Sequence, residues 1–112
     1  MGHHGFLGEF EHVLLLAILQ LGADAHAPVI SEHLERTAGR RVSRGALYSA
    51  LERLEQKGLI TWQVEPPTED RGGHPRRLFD VTPAGVEALR ATHQVLANLC
   101  DGLDDVLGVR IS

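Results

Sequence analysis

The sequence predicts a mainly α-helical fold with one small β-hairpin, and two patterns of residues indicate it. Up to Gly58, and again after Thr82, apolar residues recur every three or four positions, which is the spacing of amphipathic helices. Between these regions, two runs of strand-forming residues flank a polar loop, as in a hairpin. With 112 residues, of which 43% are apolar and 23% charged, the chain has the composition of one soluble globular domain.

The first helix is predicted to begin at Gly8–Glu9 and to end at Gly22. Its apolar residues follow helical spacing on one side, while Leu15, Leu16 and Leu19 make the other side apolar as well. A helix that is apolar all round needs packing partners on two sides. Because a chain of this size builds only one modest core, we expect a second copy of the chain to cover part of this helix.

Two further helices are predicted before Gly58. Pro28 suits the first turn of the second helix, which is expected to end near Gly39. Ser43 is the expected N-cap of the third helix. The apolar stripe of that helix consists of Leu47, Leu51 and Leu54. Its opposite side carries Gly45, Tyr48, Ser49 and Glu52, with Arg53 at the flank.

The hairpin and a last helix complete the chain. Strand-forming residues at 59–64 and 77–82 are predicted to pair around the polar loop 68–75. Thr82 and Pro83 suit the N-cap and the first position of the last helix. Within that helix, spacings of three and four alternate along Val86, Leu89, His93, Leu96, Cys100, Leu103 and Leu107. Such a heptad seam is typical of a helix that packs against a second copy. Gly102 and Gly108 weaken the end of this helix, so we expect it to fray after Asp101.

Three helices followed by two strands and a last helix predict a winged helix-turn-helix with a C-terminal dimerisation helix. We expect residues 1–82 to form a winged-helix DNA-binding domain, whose first helix also contributes to the dimer, and residues 83–112 to form the dimerisation helix. The expected dimer interface consists of Leu14, Ile18, Val86, Leu89, His93, Leu96, Cys100 and Leu103. Where these helices of two copies meet, a small apolar effector is expected to bind.

The charge distribution indicates a surface for a negatively charged partner. The net charge is −4, yet residues 36–77 carry nine Lys and Arg against five Asp and Glu. Residues 1–35, by contrast, carry five acids and no Lys or Arg. A basic middle between acidic ends is typical of a local anion-binding face. In a winged helix, such a face predicts double-stranded DNA as the partner, with the third helix in the major groove.

The residues expected to contact DNA lie in the third helix and in the hairpin loop. Small residues allow the start of a helix to approach a groove closely, and arginines beside Gly72 and Gly73 can follow the phosphate backbone. The candidates are Ser43, Arg44, Gly45, Tyr48, Ser49, Arg53, Arg71, His74, Arg76 and Arg77. An ordinary amphipathic surface helix and a solvated loop are the alternative interpretations of these two segments.

Several strings in this region resemble one family. They are Gly45-Ala46-Leu47-Tyr48, Gly58-Leu59-Ile60, Glu65-Pro66-Pro67-Thr68-Glu69-Asp70-Arg71-Gly72-Gly73, Arg76-Arg77 and Val81-Thr82-Pro83-Ala84-Gly85, together with Leu51, Leu54 and Glu55. Over about residues 7 to 100, the chain resembles the PadR family of transcriptional regulators, in particular the compact subgroup with a short C-terminal helix. The resemblance implies a homodimeric DNA-binding regulator, usually a repressor that a small molecule or a stress signal releases from an inverted-repeat operator.

The sequence departs from this family at three places, one of which is Leu78-Phe79, where the family usually has an aromatic pair in the return strand. Ala27-Pro28-Val29 stands where the family often has a Gly-Tyr-Glu-like turn. Some compact members stack flat drugs on a tryptophan of the last helix, but the only tryptophan here, Trp62, lies in the first predicted strand. Binding of a planar drug at the centre of the dimer is therefore not expected.

Other functions receive less support from the sequence. A winged-helix module that binds protein rather than DNA remains the alternative, although it does not explain the basic segment. No motif of an enzyme, of a cofactor site or of a metal site is found, although the chain has seven histidines. Cys100 is the only cysteine, which excludes an internal disulfide. We expect a cytoplasmic protein without a membrane span or a signal peptide.

Overall fold

The computed structural model describes residues 7–66 and 75–108, and its elements follow the predicted order. They are α1 (Glu9–Leu21), α2 (Ala27–Ala38), α3 (Arg44–Gln56), β1 (Ile60–Glu65), β2 (Arg76–Val81), α4 (Pro83–Cys100) and α5 (Asp104–Leu107). A short 3₁₀ turn, Gly22–Asp24, follows α1. The prediction of a mainly helical fold with one small hairpin is confirmed, and the strand bounds differ from the predicted ones by one residue.

Hydrogen bonds between neighbouring residues explain where α3 and α4 begin. The hydroxyl of Ser43 accepts a hydrogen bond from the N–H of Ala46, and the hydroxyl of Thr82 accepts one from the N–H of Gly85, both at 3.1 Å. The Thr82 hydroxyl also donates to the carbonyl of Gly58 at 2.7 Å. Both N-caps were predicted from the sequence, because a cap depends only on residues close by in the chain.

The core forms around α1. The largest fully buried side chains are Leu14, Leu15, Ile18, Ile30, Leu34, Leu54 and Leu59. Leu14 and Ile18 are already covered within the single chain, so they have no surface left for a partner. This corrects the prediction that these two residues lie in the dimer interface. The exposed apolar residues of α1 are instead Leu16 and Leu19, which are 44% and 46% exposed.

The hairpin is attached to the helices at its base. Its strands pair antiparallel from Ile60 opposite Val81 to Glu65 opposite Arg76. The N–H of the buried Phe79 donates to the carbonyl of Ala25, just before α2, at 2.8 Å. The segment between α1 and α2 therefore holds the outer edge of β2.

The start of α4 packs directly on the base of the hairpin. A Cβ added at Gly85 would lie 2.3 Å from the carbonyl oxygen of Leu59 and 2.6 Å from Cγ1 of Val81. The N–H of Thr82 donates to the same carbonyl at 3.0 Å. Because no side chain fits at this position, glycine allows α4 to begin against the hairpin.

The last predicted helix is interrupted. It ends at Cys100, and Gly102 adopts a left-handed conformation with φ of +79°. Leu103 then precedes α5 as its N-cap residue. The predicted heptad seam is therefore wrong beyond Cys100, since Leu103 and Leu107 do not continue the same helix.

Candidate nucleic-acid interface

The outer face of α3 is exposed from its first turn, as the sequence predicted. Arg44, Gly45, Ser49 and Glu52 are exposed, and Tyr48 is 38% exposed. The buried residues of this helix are Leu47, Ala50, Leu51 and Leu54. The helix thus presents small residues, one aromatic ring and one cation close to its N-terminus.

Tyr48 lies where three shallow grooves meet. A groove of about 490 Å³ extends from it to His26 and Arg77. A second groove of about 290 Å³ separates α2 from α3 and is bordered by Arg44 and Tyr48. A third, of about 130 Å³, lies between Glu52 and Arg77. The α3–hairpin face is the surface that these grooves connect, and it includes His26, Arg44, Tyr48, Glu52 and Arg77. Ser49 is exposed beside it on α3.

The two adjacent arginines at the start of β2 have different surroundings. Arg77 is exposed, and its guanidinium carbon lies 4.3 Å from the centre of the Trp62 ring, which is a cation–π contact. Arg76 forms an ion pair with Glu65 on β1, and its Nη1 lies 3.2 Å from Nε2 of His26. The sequence predicted that both arginines contact DNA, but Arg76 is engaged in contacts within the protein.

Arg53 lies at the side of α3 that faces α1. Its Nε is 4.0 Å from the carboxylate of Glu11, which also accepts a hydrogen bond from Lys57 at 2.7 Å. Glu11 is only 7% exposed. Burial favours its neutral form, but hydrogen bonds from Lys57 and from the N–H of Gly8, with the charges of Lys57 and Arg53, outweigh burial and lower the pKa of Glu11. Arg53 thus pairs with a buried acid of the same chain, and its contact with DNA stays a prediction.

Three other residues that the sequence predicted to contact DNA are Ser43, Arg71 and His74. The hydroxyl of Ser43 is used as the N-cap of α3. Arg71 and His74 lie outside the described residues, so their contact with DNA stays a prediction.

Sequence reasoning missed His26 and the place of Trp62 at this surface. His26 precedes α2, and 50 residues of chain separate it from Arg76. No local pattern marks such a contact. For Trp62, the register of the hairpin was the available signal. Val64 pairs with Arg77, and Trp62 lies two residues before Val64 on the same face of β1, which places it diagonally across from Arg77.

Large exposed apolar side chains lie on three parts of the chain: Val64 on β1 opposite Arg77, and two further sets on α1 and towards the C-terminus. On α1 they are Leu16 and Leu19. Towards the C-terminus they are Val95, Leu96, Leu99, Leu103, Val106 and Leu107. Of the predicted interface residues on α4, His93 and Leu96 are exposed and Val86 and Cys100 partly exposed, whereas Leu89 lies in the core of the chain.

Within residues 7–66 and 75–108, no three His, Cys, Asp or Glu side chains lie close enough together to hold a metal ion. In the same part of the chain, no helix is both long enough and apolar enough to cross a membrane.

The family of the chain follows from its similarity to known proteins. The model of the transcriptional regulator PadR-like family matches residues 15–91. The chain belongs to this family. Over 96 residues it is 38% identical to the transcriptional regulator Rv3488 of Mycobacterium tuberculosis, and this match covers 81% of the chain and 83% of that protein.

A second relative is longer. Over 74 residues, or 66% of its length, this chain is 38% identical to an uncharacterized 37.1 kDa protein in transposon TN4556 of Streptomyces fradiae. The match covers only 19% of that protein's length.

Solved structures share the fold. A PadR family transcription regulator from Clostridium difficile has a TM-score of 0.68 at 21% identity, covering 88% of this chain and 98% of that one. A PadR family transcriptional regulator from Eggerthella lenta has a TM-score of 0.65 at 25% identity, and the match covers 88% of this chain and 86% of that one. The winged helix and the PadR resemblance predicted from the sequence are confirmed. Because PadR-like proteins are transcriptional regulators, the family also confirms that the chain is not an enzyme.

Proposed function

We propose that this PadR-like regulator binds an inverted-repeat DNA operator as a homodimer, with α3 of each protomer in a major groove. Gly45, on the exposed side of α3, is the observation that carries the proposal. A Cβ at this position would meet no described atom within 4 Å, and its φ is not positive. Glycine inside a helix costs about 0.5–1 kcal/mol relative to alanine. Packing within the chain gives no reason for glycine here, whereas close approach of DNA does.

The neighbours of Gly45 supply the polar groups that such a contact needs. Arg44 and Ser49 are exposed beside it, and Tyr48 borders all three grooves of this face. Arginine and hydroxyl groups bind base edges and phosphates. Arg77 adds a cation at the hairpin, where a winged helix touches the DNA backbone.

A homodimer gives the two α3 helices a fixed spacing. The exposed Leu16 and Leu19 on α1, and Leu96 and Leu99 on α4, are too apolar for a surface that stays in water. We assign them to the contact between two copies, in place of the buried Leu14 and Ile18. A two-fold dimer then requires two half-sites related by symmetry, about 34 Å or one turn of DNA apart.

Repression and release by an effector are the regulatory part of the proposal. A dimer bound across a promoter excludes the polymerase, and this role places the protein in the cytoplasm with the chromosome. The predicted effector cleft cannot include Leu14 and Ile18. An apolar groove of about 400 Å³ between α1 and α2, bordered by Leu16, Leu19 and His33, adjoins the proposed dimer surface and suits a small apolar effector.

The experiment selects an operator from random duplexes and measures its binding to two variants. Gly45→Leu should lower affinity for the selected duplex about tenfold or more, since a large side chain holds α3 away from the groove. The matched control is Ala84→Leu, at an exposed position in the first turn of α4, which should bind as the parent protein does. Unchanged binding by Gly45→Leu would overturn the placement of α3. A protein that enriches no duplex at all would favour the protein-binding alternative.

A further inference from the structure

Beyond its base, which packs against α4, the hairpin makes two hydrogen bonds to the segment that precedes α2. The first is the hydrogen bond from the N–H of Phe79 to the carbonyl of Ala25. The second lies three residues earlier on β2, where Arg76 contacts His26. Three residues of a strand span about 10 Å. A second contact at this distance from the first limits how far the outer part of the hairpin can swing about its base.

The second attachment consists of three side chains. Glu65 and Arg76 are the outermost paired residues of β1 and β2, next to residues 67–74, and their side chains form an ion pair. Nδ1 of His26 lies 3.0 Å from the carbonyl oxygen of Asp24, which can only accept a hydrogen bond. The proton of the ring is thereby assigned to Nδ1, and Nε2 accepts a hydrogen bond from Nη1 of Arg76 at 3.2 Å.

We propose that His26, Arg76 and Glu65 form a brace that sets the direction of the hairpin relative to α3. In this arrangement Arg76 is a positioning residue, and Arg77 is the arginine that meets DNA phosphate; the DNA part of this inference rests on the proposed function.

The difference between the two arginines follows from their partners. The charge of Arg76 is compensated by the carboxylate of Glu65. Arg77 lies over the neutral ring of Trp62, so its charge stays available for a phosphate. Neighbouring residues of a strand point to opposite faces, which is why consecutive arginines have different tasks.

Trp62 allows the brace to be tested without DNA, because it is the only tryptophan in the sequence and lies on the hairpin. His26→Leu and Arg76→Gln should raise the quenching constant of Trp62 fluorescence by acrylamide about twofold, since a loosened hairpin opens more often to solvent. His26→Gln supplies an oxygen acceptor to Arg76 and should restore the parent value. His33→Leu is the matched control, because His33 lies on α2 and contacts Gln20 at 2.8 Å. Parent-like quenching in both His26→Leu and Arg76→Gln would overturn the brace.

A mixed-sequence duplex tests the division between the arginines. Arg77→Gln should reduce the slope of log K against log[salt] by about 0.9 per protomer, because one phosphate contact is lost. Arg76→Gln should lower affinity about three- to tenfold with nearly the parent slope. An equal loss of slope in Arg76→Gln and Arg77→Gln would show that Arg76 contacts phosphate and would overturn its positioning role. If the parent protein bound no duplex, the proposed function would fail, while the quenching data would still decide the brace.

Discussion

Replacing Gly85 by alanine should destabilise the protein, because the first turn of α4 approaches the base of the hairpin at backbone distance. The added Cβ would lie 2.3 Å from the carbonyl oxygen of Leu59 and 2.6 Å from Cγ1 of Val81. Ordinary contacts between carbon and oxygen begin at about 3.3 Å. The start of α4 must therefore move by about 1 Å, and the atom in its way is backbone rather than the end of a flexible side chain.

The size of the effect follows from two opposing contributions. Overpacking costs about 1–3 kcal/mol, and contact with a backbone atom places this site near the upper end. Alanine returns at most about 1 kcal/mol through its higher helix propensity. We expect Gly85→Ala to lower the free energy of unfolding by about 2 kcal/mol and Tm by roughly 10 °C.

Thermal and urea denaturation followed by circular dichroism, at one fixed protein concentration, would measure this change. Gly45→Ala is the matched control, because a Cβ at Gly45 would meet no described atom within 4 Å. The control should gain about 0.5–1 kcal/mol. A Gly85→Ala protein as stable as its parent, or a shift of the same sign in both variants, would refute the tight contact between α4 and Leu59.

Three further predictions concern the dimer, the buried acid and the DNA-reading helix. Leu99→Glu, at a residue that is 69% exposed in the single chain, should shift sedimentation at micromolar concentration towards the monomer, and an undisturbed dimer would contradict the assigned interface. Glu11→Gln should cost about 1–2 kcal/mol at pH 7. Because the folded pKa of Glu11 is lowered, its contribution to stability is present above the unfolded value of 4.5 and is lost as the pH falls through the folded pKa. In urea titrations, the stability of Glu11→Gln should therefore fall less steeply below pH 4.5 than that of the parent protein. An equally steep fall in both proteins would argue against the contact of Glu11 with Lys57. Tyr48→Ala should reduce the ratio of operator affinity to scrambled-duplex affinity about tenfold, while the salt dependence of its binding stays that of the parent protein. An equal loss of affinity on both duplexes would show that α3 does not read sequence.

The helices and their ends could be predicted because their signals are local. Ser43 and Thr82 cap α3 and α4 through residues three positions away, and Gly39 ends α2 with a φ of +63°. The exposed face of α3 was also predictable, since helical spacing separates it from the buried leucines. The end of α4 near Cys100 was expected from Gly102 and Gly108, whereas the three–four spacing that continues to Leu107 predicted a seam that the structure does not extend beyond this point.

The candidate site was predictable only in part. Arg44, Gly45, Tyr48 and Ser49 share the exposed face of α3 that the sequence predicted. The ion pair of Arg53 was not predicted, because its partner Glu11 lies 42 residues earlier in the chain.

By itself, the sequence determined the order of the elements, the starts of α3 and α4 and the PadR-like character of the chain, since periodicity, capping and motifs depend on residues that are close in the chain. The tertiary structure decided which side of α1 is buried, because a helix that is apolar all round carries no signal that separates Leu14 from Leu16. It also decided which arginine of β2 stays exposed. Arg76 and Arg77 are chemically alike and adjacent in the chain. Only the register with β1 and the position of His26 determine that Arg76 is paired within the protein and that Arg77 is exposed.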